Sequence, residues 1–127
     1  MDAEDGQDFF LSGLELFNAG RFFECHEAWE AIWKVSASSE KVFLQGLIQV
    51  AAALVHIQRG NRPGALALYR KARDKLASPP QRYRTLMIEE FCGALDDYFS
   101  AVEDGTSAPQ PIPALCSDDP DLNRFNR

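Results

Sequence analysis

Between Ser38 and Arg59 the chain carries apolar side chains around nearly the whole circumference of a helix: Val42, Phe43, Leu44, Leu47, Ile48, the run from Val50 to Val55, and Ile57. Such a helix has no side suited to water, so it must lie at the centre of a helical body with other helices packed around it. Its polar exceptions are not scattered. Gln45, Gln49, Ala52 and His56 follow i, i+4, i+7, i+11 spacing and share one narrow stripe. The 127 residues, 46% apolar and 25% charged, are enough for one domain with its own core.

Periodicity and breakers place four more helices around the central one. The first spans about Asp8 to Asn18, with Phe10, Leu14 and Phe17 on one stripe, and closes at Ala19-Gly20. The second runs from about Arg21 to Val35, and Ser38 or Ser39 is placed to cap the central helix. Gly60-Asn61 ends that helix and caps the fourth, where Pro63 sits in the first turn and Ala65, Leu68, Tyr69, Ala72 and Leu76 form the buried face. After Ser78-Pro79-Pro80 the fifth helix carries Tyr83, Met87, Phe91, Tyr98 and Val102 up to Gly105. Pro109, Pro111, Pro113 and Pro120 then forbid a regular helix.

The predicted architecture is therefore all-α: a compact array of about five antiparallel helices over residues 1–104, and an extended Pro-rich tail over 105–127 pinned by Ile112, Leu115 and Phe125. The turns Asn18-Ala19-Gly20-Arg21-Phe22 and Arg59-Gly60-Asn61-Arg62-Pro63 look alike. They give two tetratricopeptide-like hairpins, without the third copy that a solenoid needs.

Three cysteines, Cys25, Cys92 and Cys116, form no CxxC pair, which argues against a disulfide framework and for a reducing compartment. Met1 to Asp8 carries four acids and no base, unlike a targeting peptide. Gln45, Gln49, His56 and Gln58 interrupt the most apolar run, so no bilayer span is expected, and the predicted location is the cytoplasm. Residues 1 to 40 hold nine acids against Arg21 and Lys34, while Arg59 to Arg84 holds eight bases against Asp74. A basic stretch with Tyr69 and Tyr83 has the makings of a phosphate or nucleic-acid surface. At a net charge of -6, a solvated face complementing the acidic half of the molecule is favoured, and nucleic acid is not an expected partner.

The second helix concentrates the chemistry. At 100° per residue Phe22, Trp29 and Trp33 form one stripe, which Cys25, Ala28, Ile32 and Val35 extend. His26 falls beside Trp33 with Glu30 next to it, while Glu24, Glu27 and Ala31 point away. An antiparallel hairpin with the central helix sets Gln49 opposite His26 and Gln45 opposite Glu30, with His56 beyond the start of the second helix.

Histidine and glutamate at i, i+4 can ligate one divalent ion such as zinc, manganese, nickel or iron from a single helical face. Two ligands do not make a secure site, so His56, Glu27, water or another chain would have to supply a third. The same pair has the form of a carboxylate-oriented general base, yet no nucleophile accompanies it. The alternative is a closed hydrogen-bond network in which Glu30 satisfies His26 and the two amides complete the set, with the indole N–H groups donating into it. A buried pair of this kind makes Glu30→Ala costly by a few kcal/mol, on the order of what an unpaired buried partner loses.

His26, Glu30 and Trp33 match His-x-x-x-Glu-x-x-(Trp or Tyr), and the block from Phe43 to Ala53, followed by His56 and Gly60-Asn61-xx-Gly64-Ala65, follows in order. In both blocks, over about residues 9 to 77, the chain resembles the bacterial and archaeal family called domain of unknown function 309. The resemblance implies a small all-helical array and a motif suggested to bind metal, with no substrate or reaction attached. The functional expectation is a metal or small-ligand site at His26 and Glu30, with Gln45, Gln49, Trp33 and His56 as pocket residues. The alternative is a helical module that binds a protein partner through the hairpin surface or the basic fourth helix, its polar cluster being only structural.

Overall fold

A computed structural model describes residues 3–77, 86–105 and 111–117. Five helices follow in order: α1 (Ala3–Asn18), α2 (Phe22–Trp33), α3 (Ser38–Gln58), α4 (Arg62–Leu76) and α5 (Ile88–Glu103). Each packs on its neighbour in sequence, α3 against both α2 and α4. Among the described residues the only β feature is one isolated bridge, Leu86 to Ser117. The all-α expectation holds.

The central helix is where the sequence puts it. Phe43, Leu44, Leu47, Val50, Ala51, Ala53 and Leu54 are at most 2% exposed. By length and mean hydropathy α3 is the one helix among the described residues that passes as a membrane span, over Glu40–Gln58, yet 56% of that window is buried inside the bundle. Its apolar surface is the bundle's own core.

Two turns share one geometry. Gly20 and Gly60 adopt φ of 80° and 75°. Arg21 N–H then donates back to Leu16 C=O at 2.9 Å, and Asn61 N–H to His56 C=O at 2.8 Å. This bond from the third residue past the helix, closed through a left-handed residue, satisfies carbonyls that the last turn leaves open, and glycine adopts it without a Cβ clash. The second turn adds a cap, because Asn61 Oδ1 accepts from Gly64 N–H at 3.1 Å. Arg21 makes no such side-chain cap.

Several predicted boundaries move. α2 stops at Trp33, leaving Val35 84% exposed rather than in the buried arc. Ala37, not Ser38 or Ser39, occupies the N-cap of α3, without a side-chain bond. α5 starts at Ile88, so Met87 is its N-cap and not part of its buried stripe. The cause is non-local: Met87 N–H donates to Cys116 C=O at 2.9 Å, and Leu86 pairs with Ser117. Tyr83 lies outside the described residues.

Residues 111–117 form no helix and lie against the body. Leu115 is fully buried in the common core, and Ile112 packs on it. Asn18 holds this stretch with both ends of its amide, accepting from Leu115 N–H at 3.0 Å and donating to Leu115 C=O at 3.1 Å. Phe125, the third expected anchor, lies outside the described residues.

Candidate functional site

α2 is fixed by its tryptophans before its polar groups come into play. Trp29 is fully buried, stacked on Phe10 at 5.4 Å and on Phe17 at 5.9 Å between ring centres. Its indole N–H donates to Phe10 C=O at 3.2 Å. Gly13 permits this approach, since a Cβ there would overlap the indole. Trp33 is partly buried and donates its N–H to Lys41 C=O at 3.0 Å, while the Lys41 ammonium sits 4.4 Å from the indole centre. Both indole donors are thus committed to backbone carbonyls, not to the histidine cluster as the sequence implied.

Two contacts set the register of α2 against α3. Trp33 meets Lys41 near the connecting turn, and Gln58 donates to Gly20 C=O at 2.8 Å at the other end. Interpolating between them puts His26 level with the turn of α3 that contains Gln49, as the hairpin argument predicts. The expected closed network does not form there. His26 Nδ1 and Gln49 Oε1 are both buried and without a hydrogen-bond partner. Glu30 Oε2 lies 3.5 Å from His26 Nδ1, an ion-pair distance without hydrogen-bond alignment. With side chains 30% and 51% exposed, the pair occupies the rim of the seam, and Glu30 does not turn inward as the wheel suggested.

The other predicted members divide. Gln45 is half-buried on the same stripe. His56 is a capping residue: its Nδ1 lies 3.1 Å from the Asn61 amide nitrogen, which donates to it, and the Asn61 oxygen caps α4. That use takes His56 out of the cluster. Glu27 is exposed, and Cys25 is fully buried in the core, where burial pushes its thiol far up. Among the described residues no group of three or more His, Cys, Asp or Glu could hold a metal ion. Among the described residues the donor set at the seam stops at His26 and Glu30.

Residues 10–68, from the first buried turn of α1 into α4, match the family model described as Domain of unknown function (DUF309). Over this segment the chain is similar to the DUF309 family. An uncharacterized protein of Aquifex aeolicus is 28% identical over 90 residues, which cover 70% of this chain and 27% of that protein. The uncharacterized protein YpuF of Bacillus subtilis is 41% identical over 61 residues, 46% of this chain and 35% of YpuF. The chain thus spans about a third or less of the length of these relatives. No solved structure matches it.

The matched segment includes the whole α2–α3 seam and stops before the strongest polar cluster among the described residues, which sequence reasoning missed. Tyr69 OH donates to Asp96 Oδ1, and Arg73 grips the same carboxylate through Nε and Nη2 at 3.0 and 3.2 Å. Burial opposes ionisation of Asp96, but the hydrogen bonds from Arg73 and Tyr69 outweigh it and hold the carboxyl below its ordinary value. Burial and the adjacent carboxylate push the Tyr69 phenol up. Tyr69 also stacks on Phe99 at 4.1 Å, so its ring is occupied within its own chain rather than offered to a base. Arg70 pairs with Glu103 at 3.6 Å. The basic face of α4 is therefore partly neutralised by α5. One helical turn between Tyr69 and Arg73 was the available signal; their acceptor, 27 residues beyond Tyr69, was not.

Proposed function

We propose that this chain is a helical interaction module whose contact face is the α2–α3 seam, built on tetratricopeptide-like hairpin pairing and working in the cytoplasm. The observation that carries the reading is the pair of buried polar atoms, His26 Nδ1 and Gln49 Oε1, left without partners on the two helices of the seam. A purely internal network is normally closed, because an unpaired buried acceptor costs about 1–3 kcal/mol. Phe23, 49% exposed, borders the same face. The inter-helical bonds of Trp29, Trp33 and the Tyr69–Asp96–Arg73 group hold the scaffold, and residues 111–117 of the Pro-rich tail are strapped to it.

Affinity capture with cross-linking mass spectrometry tests this. The intact protein should yield a partner cross-linked to the α2–α3 face, and Phe23→Asp combined with Gln49→Leu, checked by melting for an intact fold, should lose it. The same partner at unchanged yield from the double variant would sink the module.

A second reading is favoured by the 3.5 Å approach of His26 Nδ1 to Glu30 Oε2. These two would be part of the shell of a zinc, manganese, nickel or iron ion, with water or another chain supplying the remaining ligands beside Gln45, Gln49 and Trp33. One equivalent of metal in tag-free protein, lost in His26→Ala, would favour this reading over the first.

A further inference from the structure

The α1–α2 and α3–α4 turns share a backbone but not their side chains. Leu16, Gly20 and Arg21 of the first stand where the second has His56, Gly60 and Asn61. The first turn closes without a histidine or an amide, so that pair is an addition the backbone does not need. Asn61 uses both ends of its amide. Its Nδ2 lies 3.1 Å from His56 Nδ1, and its Oδ1 accepts from Gly64 N–H at 3.1 Å, which caps the first turn of α4. Gly64 makes room for this, since a Cβ there would overlap the amide.

The pair works in one protonation state only. An amide nitrogen donates, so Nδ1 is the bare nitrogen of a neutral ring whose proton sits on Nε2. A second proton turns Nδ1 into a donor, and two donors then face each other. Reversing the amide restores a bond, now from Nδ1–H to Oδ1, charge-assisted and about twice as strong as a neutral one. The same reversal aims Nδ2 at Gly64 N–H and removes the cap. The charged groups at this end of the bundle are Arg21 and Glu24 at the start of α2, Arg59 after α3, Arg62 at the start of α4, and Asp104, where α5 ends close to Arg62. Arg21 pairs with Glu24 at 2.6 Å, Arg59 lies 6.0 Å from the centre of the Phe23 ring, and among the described residues none forms an ion pair with His56.

We infer that the α3–α4 turn is a proton-operated switch: protonation of His56 reverses the Asn61 amide and uncaps α4. It is independent of what the α2–α3 seam contacts. Histidine is the side chain that ordinarily changes charge between pH 5 and 8, so the cap belongs to neutral and alkaline solution and its loss to mild acid. Only the first turn of α4 responds, because Ala65 N–H donates to the Asn61 backbone carbonyl at 3.0 Å and Ala65 is fully buried.

An NMR titration of the whole chain from about pH 8 to about pH 5 tests the switch. The Gly64 amide proton should move upfield as it loses its acceptor, in step with the His56 ring protons. The Cys25 amide, which donates to Arg21 C=O at 3.0 Å in the turn without histidine, should stay in place. His56→Gln, whose side chain takes up no proton in this range, should hold Gly64 still. In Asn61→Asp the upfield move should disappear, because a carboxylate accepts from Gly64 and from the protonated ring together. A titrating His56 with a stationary Gly64 overturns the inference, since the ring has then swung into water and left the cap standing. So does a Gly64 shift that survives either substitution, and so does an equal shift at Cys25, which marks a change of the whole bundle.

Discussion

The α4–α5 interface and the α2–α3 seam are both polar contacts between helices, but one is closed and the other is open. At the first, Asp96 is gripped by Arg73 and Tyr69, and the carboxyl is held in its ionised form. At the second, Glu30 and His26 meet without alignment, and Gln49 Oε1 has no partner. Closed networks contribute to folding; open ones cost folding free energy and persist where something else uses them. The stronger of the two networks is thus the less promising as a site.

The largest effect should follow from breaking the closed side. Asp96→Ala strands the Tyr69 hydroxyl and the Arg73 guanidinium, and denaturant melts should show a loss of about 2 kcal/mol. A midpoint within error of the parent would mean that the clamp is ornamental. The next effect is a pH dependence. The Asp96 carboxyl is held below its ordinary value in the folded state, so its contribution is complete at neutral pH and is lost as pH falls through the aspartate range. Asp96→Asn should flatten that acid limb, and an unchanged limb would assign it to other carboxylates.

On the open side the sign reverses. Gln49→Leu removes a buried acceptor without a partner and should raise stability by up to about 1 kcal/mol in the same melts. A clear loss would show that the amide is satisfied in solution and the seam closed. Glu30→Ala should be the smallest change, within about 0.5 kcal/mol, because the pair it breaks is half-exposed. A loss of a few kcal/mol would restore the buried pair inferred from the helical wheel.

What could be read from the sequence follows from the range of the interactions. The central helix, the glycine turns at Gly20 and Gly60 and the Asn61 cap depend on residues within a few positions of each other, and their pattern shows directly. The start of α5 does not, because Leu86 and Met87 are withdrawn from the helix by backbone pairing with Cys116 and Ser117. Periodicity set Glu30 next to His26 correctly but gave no measure of depth: that depends on which helix covers that side of α2, and none covers it fully. The wheel likewise grouped His56 with the glutamines, whereas the turn after α3 recruits it as a cap. The Tyr69–Asp96–Arg73 group joins two helices whose mutual register no local signal encodes.

The amide of Asn18 that embraces Leu115 also orders events in time. Its two bonds span 97 positions, so on the ribosome α1 through α5 emerge before the extended stretch that completes the end of α1. The helices can collapse early on contacts between sequence neighbours, whereas this last closure waits for the residues that follow α5 to arrive. Until then, the core position that Leu115 fills is open to water and to other apolar segments. The vulnerable period for a nascent copy is thus the interval between completing its helices and engaging Leu115.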